Sequence, residues 1–358
     1  MGLIFALLTL GFLIFIHELG HLIAARASGM AVHEFAIGFG PKIITKEWKG
    51  IMYSLRLFPI GGFVKIAGIE ELVGLEPEDD SVKESEKFSN KSWLAKFCTL
   101  SAGCFMNFML AFFIFFIMST FIGLPTVTNV IEKVMPQSPA ELSGIKPADK
   151  IISINGRQVK DWNTDLVSVI QQAQEGESLS VLVHRGADQK LINIVPSFDT
   201  EKNIPVIGVI PKQNFVKMTV LSGIGHAAKS CITSVYYIGY SLKMLISGEA
   251  KMKDLGGPVL IVQLLSKSVT HNMLAYLQIL ALLSINLALL NLLPIPALDG
   301  GHILFLIVEA LFKRPVSEKF RLTVSNISMA CLLLFIVYTI FNDIRFWAER
   351  TTYLGSLQ

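Results

Sequence analysis

The chain has 358 residues, 52% of them hydrophobic, and a formal net charge of +3; its mean hydropathy is +0.55. That is too apolar for an ordinary soluble domain and too rich in polar stretches for a bare helix bundle, so the chain reads as a membrane protein with an attached soluble module. The small charge, with no basic stripe interleaved with aromatics, excludes nucleic-acid binding, and four scattered cysteines (Cys98, Cys104, Cys231, Cys331) without a CxxC pair exclude a disulfide framework or a thiolate metal site.

Four runs reach the roughly 20 apolar residues that a spanning helix needs: Leu3–Ala25, Cys98–Ile122, Met273–Leu293 and Val324–Phe346. The first, within residues 1–26, lacks a basic leader and carries His17, Glu18 and His21 in its apolar run, which argues against a cleaved signal peptide. The spacing His17-Glu18-x-x-His21 stacks two imidazoles on one helical face, where both can ligate one metal ion, and Glu18 is placed to take a proton from an attacking water. On a soluble helix, such residues could be explained by a wet face. Inside a span that explanation fails, because burying three polar groups without partners is costly.

The loop 27–97 alternates apolar and polar residues around Gly and Pro ("EFAIGFGPKI", "MYSLRLFPIGGFVKIAG"), which predicts a small sheet. Gly38, Gly40 and the Gly61-Gly62 pair make a flat, closely approachable backbone that could be an edge awaiting a partner strand, with Val64 and Ile66 as strand positions offering it hydrogen bonds; tight turning alone would also account for the glycines. The acidic stretch from Ile69 to Ser92 reads as a solvated connector. After the second span (98–122), residues 123–212 have ordinary soluble composition, with short strand-like runs ("KIISINGRQV", "SLSVLVHRG", "KLINIVPS", "IPVIGVIP") and short helical ones, predicting an α+β module. Residues 213–272 repeat apolar residues at helical spacing among lysines and predict helices, either lying on a membrane surface or packed on the protein. A third span and the LDGGH loop fill 273–302, a connector 303–323, the fourth span 324–346 and a tail 347–358.

Short-loop lysines and arginines set the orientation. Arg26, Lys42, Lys46, Lys49, Lys91 and Lys96 flank the first loop, and Lys313, Arg314, Lys319 and Arg321 follow the third span, so both are expected on the cytoplasmic side, with the N-terminus and the module outside. His17 lies about 14 residues into a helix rising 1.5 Å per residue, which is about 20 Å into a core of about 30 Å, toward the cytoplasm.

A catalytic zinc takes three protein ligands and keeps one position open. The best third donor is Asp299 in "NLLPIPALDGGH", because spans one and three run in the same direction and Asp299 ends on the same side as the histidines. His302 competes, but reads rather as opening the next helix. His33, His184, His226 and His271 stand alone and read as surface or packing residues. Asn286 and Asn291 could hydrogen-bond an unwound substrate or glue helices together.

Together, HELGH, "GFGP", "PIGGFVKIAG", "NKSWLAKFCTLSAGCFMN", "SPAELSGIKPADKIISINGRQV" and "NLLPIPALDGGH" resemble the site-2 protease family, most closely its bacterial RseP-type members, in order over nearly the whole chain. The resemblance implies an intramembrane zinc metalloprotease of the bacterial inner membrane, with one Zn2+ per chain held by His17, His21 and Asp299, and Glu18 as general base. It implies a PDZ-like outer module, a loop sheet that receives substrate, and a substrate-facing role for Asn291. Asn107, Pro294, Gly300 and His302 fall in or beside its motifs as residues that support the ligands. Its substrates would be single-span proteins in the lipid bilayer, such as anti-sigma factors trimmed beforehand by another protease, and remnant signal peptides. Cys104 stands where the family commonly has proline, and there is room for one PDZ-like domain where many such members carry two. The expected fold is thus a polytopic α-helical membrane protein with four spans, a membrane-associated β-hairpin or sheet and an extracytoplasmic α+β PDZ-like domain. A metal transporter would need ionisable residues along a path, which spans two and four do not supply; a noncatalytic scaffold would not need Glu18.

Overall fold

The computed structural model describes residues 2–69, 82–198, 204–249 and 256–347, and of Pro59, Ile60, Thr270 and His271 the backbone alone. Half of the acidic connector and nearly all of the tail lie outside the described residues, as does the side chain of His271. The chain divides into two compact units, Met1–Met118 with Leu221–Gln358, and Ser119–Val220.

In the first unit, four helices are long and apolar enough to cross a membrane among the described residues: Gly2–Ala27, Trp93–Ile122, Met273–Asn291 and Glu318–Arg345. α1 (Gly2–Ala27) is apolar on all sides apart from His17, Glu18 and His21, as suits a lipid-embedded helix. The hairpin β1 (Val32–Trp48) and β2 (Ile51–Ile66) follows it. α2 (Trp93–Ile117) starts five residues before the apolar run because the Ser92 hydroxyl accepts the Ala95 N–H at 3.3 Å, and its last turn widens into a π-turn at Met118–Ile122.

Within the hairpin each strand is bent at its middle. Residues 34–37 pair with 62–65 on one side and with 52–55 on the other, while 44–48 pair with 51–55. Four short rows result, in the order 44–48, 51–55, 34–37, 62–65. Gly61, at φ +104°, makes the last bend; a Cβ there would fall 2.0 Å from the Phe39 ring. Leu22, Ala25, Met30, Val32, Phe35, Ile51 and Ile66 bury the sheet against the end of α1.

In the second unit, β3 (Leu124–Val134), α3 (Pro139–Leu142), β4 (Lys150–Ile154), β5 (Arg157–Gln158), a π-turn at Trp162–Val167 running into α4 (Ser168–Gln171), β6 (Leu179–Arg185), β7 (Asp188–Ile194), β8 (Ser197–Phe198), β9 (Pro205–Val206) and β10 (Val209–Val216) form the α+β module. Its main sheet has the antiparallel order β10-β3-β4-β6-β7, with β5 on β4 and β8–β9 as a separate ladder. Period-two alternation in β6 turns Leu179, Val181 and Val183 inward onto Ile131, Ile151, Ile154, Leu166 and Ile194. Each such fully buried side chain contributes about 1.5–3 kcal/mol. β3 is absent from the strand-like runs read from sequence, although "PTVTNVIEKV" is rich in β-branched residues.

The first unit resumes with α5 (Val220–Ser247), which exposes Leu221, Ile232, Tyr236, Tyr237 and Ile246, and α6 (Pro258–His271). The Asn272 side chain accepts the Leu274 and Ala275 N–H groups and so starts α7 (Met273–Asn291). α8 (Asp299–Phe312) makes helical much of what the sequence reads as loop and connector: an N-terminal Asp and an apolar run from Ile303 suffice to form it. α9 (Glu318–Arg345) begins at the Ser317 cap, ahead of its apolar run.

Candidate metal centre

α1 brings its two histidines to one face, and α8 aims its first residue at them. His17 Nε2 and His21 Nε2 lie 3.2 Å apart, and Asp299 Oδ2 lies 3.1 Å from the first and 3.3 Å from the second. Both histidines are buried, at 5% and 8% exposure, and Asp299 is half-buried. Among the described residues this is the group of three or more metal-type donors close enough to hold one ion. A tetrahedral zinc with bonds of about 2.0–2.1 Å spaces its ligand atoms by about 3.3 Å, so the triangle fits that ion and leaves one face open.

The tautomer of His21 is set by the backbone. Its Nδ1 lies 2.8 Å from the Thr99 carbonyl oxygen, which can accept only, so Nδ1 carries the proton and Nε2 turns a lone pair to the centre. α2 comes this near because small residues face α1. A Cβ on Gly20 would sit 2.4 Å from the Ala102 carbonyl oxygen, and one on Gly103 would sit 2.3 Å from His21 Nε2 and 2.7 Å from His17 Cε1. Gly103, Gly20 and the Thr99 carbonyl were not read as site features from the sequence. The small run Ser101-Ala102-Gly103-Cys104 inside an apolar helix was the available sign of a close helix crossing.

The loop 292–298 turns the chain between α7 and α8. Pro294 lies in it, and Gly300 packs so closely that a Cβ would fall 2.3 Å from the Leu292 and Leu293 carbonyl oxygens, which fixes where Asp299 points. Cys104 sits against the carboxylate, its thiol 3.7 Å from Asp299 Oδ2. Asn291 brings Nδ2 to 3.3 Å from His17 Nε2, and Asn107, fully buried, brings Nδ2 to 3.5 Å from His17 Nδ1. Asn286 lies five residues before Asn291, about 140° around the helix, and does not join the cluster. His302 is on α8 beyond the ligand triangle and lines a cavity of about 420 Å³ with Lys96, Leu100, Leu306 and Arg321.

Gly62 ties the sheet to this centre: a Cβ there would sit 3.0 Å from Glu18 Cγ. The outer row 62–65, which includes Val64, therefore runs beside Glu18, while Ile66 is buried in the sheet's core.

A helix-borne HExxH inside an apolar span, joined by an aspartate from a later helix, defines a membrane-embedded zinc metalloendopeptidase. The family comparison agrees. Residues 5–335 match the model of Peptidase family M50, and the chain belongs to that family, the site-2 protease type. It is 32% identical over 346 residues to a candidate zinc metalloprotease of Clostridium acetobutylicum, covering 96% of this chain and 97% of that one. It is 35% identical over 347 residues to a candidate zinc metalloprotease of Campylobacter jejuni (94% and 91% covered), and 29% identical over 411 residues to the regulator of sigma-W protease RasP of Bacillus subtilis (95% and 97%). A crystal structure of the PDZ domain of an SdrC-like protein from Listeria monocytogenes is similar over 23% of this chain and 84% of that one, at 20% identity and a TM-score of 0.22. The protein is thus a multi-pass zinc metalloprotease of the inner membrane.

Proposed function

We propose that this protease cuts peptide bonds within the transmembrane segments of single-span proteins, with one zinc per chain held by His17, His21 and Asp299. The observation that carries the reading is the ligand triangle lying beside both Glu18 and an outer β-row. When bound, zinc supplies Lewis acidity and lowers the pKa of water toward about 7. Glu18 accepts the proton of the attacking water and delivers it to the leaving amine nitrogen.

A substrate helix hides its amides in internal hydrogen bonds and must unwind to be cut. The row 62–65 offers it backbone partners as an added strand, and Asn291, beside His17, donates to a freed substrate carbonyl. Basic short loops support a centre on the cytoplasmic side, with the N-terminus and the module Ser119–Val220 outside. The α+β topology of that module supports a PDZ-like filter that admits substrates already trimmed by another protease. Since one relative is named a regulator of sigma-W protease, anti-sigma regulators are the proposed substrates, with remnant signal peptides beside them.

The test uses purified protein, a single-span substrate and Glu18→Gln. The variant is expected to keep its zinc and lose cleavage; cleavage at the wild-type rate would remove Glu18 from the mechanism. Deleting the module from a variant that stays folded and zinc-bound is expected to admit untrimmed substrates while trimmed ones are still cut. Loss of trimmed-substrate cleavage would make the module a docking site instead.

A further inference from the structure

We infer that Asn107 is the positioning residue for His17: its side-chain oxygen accepts the His17 Nδ1–H and so fixes Nε2 as the metal donor. The inference rests on His17 being a zinc ligand, as proposed above, and concerns a residue on a different helix.

A neutral imidazole has one N–H and one lone pair. His17 Nε2 faces Asp299 Oδ2 at 3.1 Å and His21 Nε2 at 3.2 Å, so Nε2 is the atom that can reach a shared ion. To ligate, it must carry the lone pair, which puts the proton on Nδ1. That proton points to Asn107, whose Nδ2 is 3.5 Å away, and an amide NH2 cannot accept it. In this arrangement two donors face each other while Asn107 Oδ1, fully buried, has no hydrogen-bond partner. A half-turn of the amide exchanges oxygen and nitrogen without changing shape. It joins Oδ1 to Nδ1–H and leaves one orphaned group, the NH2, where there were three.

The backbone of Asn107 is already held for this task, since its carbonyl oxygen accepts the Ser284 hydroxyl of α7 at 2.8 Å. The arrangement also repeats what is seen one turn away. His21 gives its Nδ1–H to Thr99 of the same helix, so α2 supplies an acceptor to each histidine, a main-chain carbonyl for one and a side-chain carbonyl for the other.

The experiment measures zinc affinity by chelator competition for the full chain and for His17→Ala, Asn107→Leu and Asn107→Asp. Asn107→Leu keeps the volume and removes the acceptor, and is expected to weaken zinc binding about 10- to 100-fold. Asn107→Asp keeps an acceptor oxygen and has no donor, and is expected to bind at least as tightly as wild type. Wild-type affinity in Asn107→Leu overturns the inference, and so does an equal loss in both Asn107 variants. Wild-type protein gives a reading that depends on no variant: with ¹⁵N-labelled histidine and zinc bound, the His17 Nδ1 proton is expected to be hydrogen-bonded and slow to exchange. A fast-exchanging, unbonded proton contradicts the assignment. His17→Ala separates the two levels, because zinc retained in that variant defeats the metal-site reading itself and not the role of Asn107.

Discussion

The two units of this chain each bury an acid, and they satisfy it differently. In the Ser119–Val220 unit, Asp149 is fully buried and receives two hydrogen bonds from Arg185, both at 2.7 Å, and a third from the Lys146 N–H at 2.8 Å. Its charge is cancelled by the protein. In the membrane unit, Asp299 meets two imidazoles and a thiol, and no lysine or arginine pairs with it among the described residues. Such a carboxylate, facing two imidazoles, suits the zinc proposed above. The first arrangement stabilises a fold and the second has the donor set of the proposed metal site, although both are an acid with nitrogen partners.

The glycines sharpen the contrast most strongly. Gly103→Ala drives a methyl into both imidazoles and is expected to lower cleavage by about 100-fold or more, because displacements near 1 Å at a reacting centre have that effect. Zinc content should fall with it. Gly156→Ala, in the module at φ +77° with open space around it, is expected to cost about 1 kcal/mol of local stability and to leave zinc untouched. Equal effects from the two would erase the distinction. Next comes the outer row of the sheet. Val64→Pro removes a backbone donor and is expected to slow cleavage about tenfold with zinc retained; wild-type rates in both Val64→Pro and Ile66→Pro would show that this edge does not hold substrate.

Within the module, Ile151→Ala empties a site of 0% exposure and is expected to destabilise the unit by about 2–5 kcal/mol, read as a lower Tm, without loss of zinc. The smallest effect concerns acid. Burial pushes the Asp149 carboxyl up, but the hydrogen bonds from Arg185 and the Lys146 amide, with the Arg185 charge, outweigh it and hold its pKa below the usual carboxylate range. A depressed folded-state pKa adds stability that is fully present above the unfolded value of about 3.9 and is lost as pH falls through the folded one. Asp149→Asn should remove about 2 kcal/mol at neutral pH and flatten the acid dependence of unfolding; an unchanged acid limb would place that dependence on other carboxylates.

How much of this could be read from the sequence follows from the range of the interactions. The spans, HELGH and the later aspartate were legible because hydropathy and i, i+4 spacing are local, and a polar residue in an apolar run announces itself. Other features were not. The four-row folding of a two-strand hairpin depends on bends at Gly38 to Gly40 and at Gly61, which alternation alone does not order. The acceptors behind the histidines, Thr99 and Asn107, lie on another helix some 80 or 90 positions away, and one of them is a backbone carbonyl with no side-chain signature. Asn286 and Asn291 looked equivalent by residue type, and helical phase separates them. The helical start at Asp299 was hidden by two glycines that favour loops but here allow close packing on the preceding turn.

The central claim is that His17, His21 and Asp299 together hold one zinc. Its most direct test is metal analysis of purified wild-type protein beside His17→Ala, His21→Ala and Asp299→Ala. One zinc per wild-type chain is expected, with loss of it in all three variants. Unchanged stoichiometry in Asp299→Ala would contradict it and pass the third position to another donor, with His302 the first to examine.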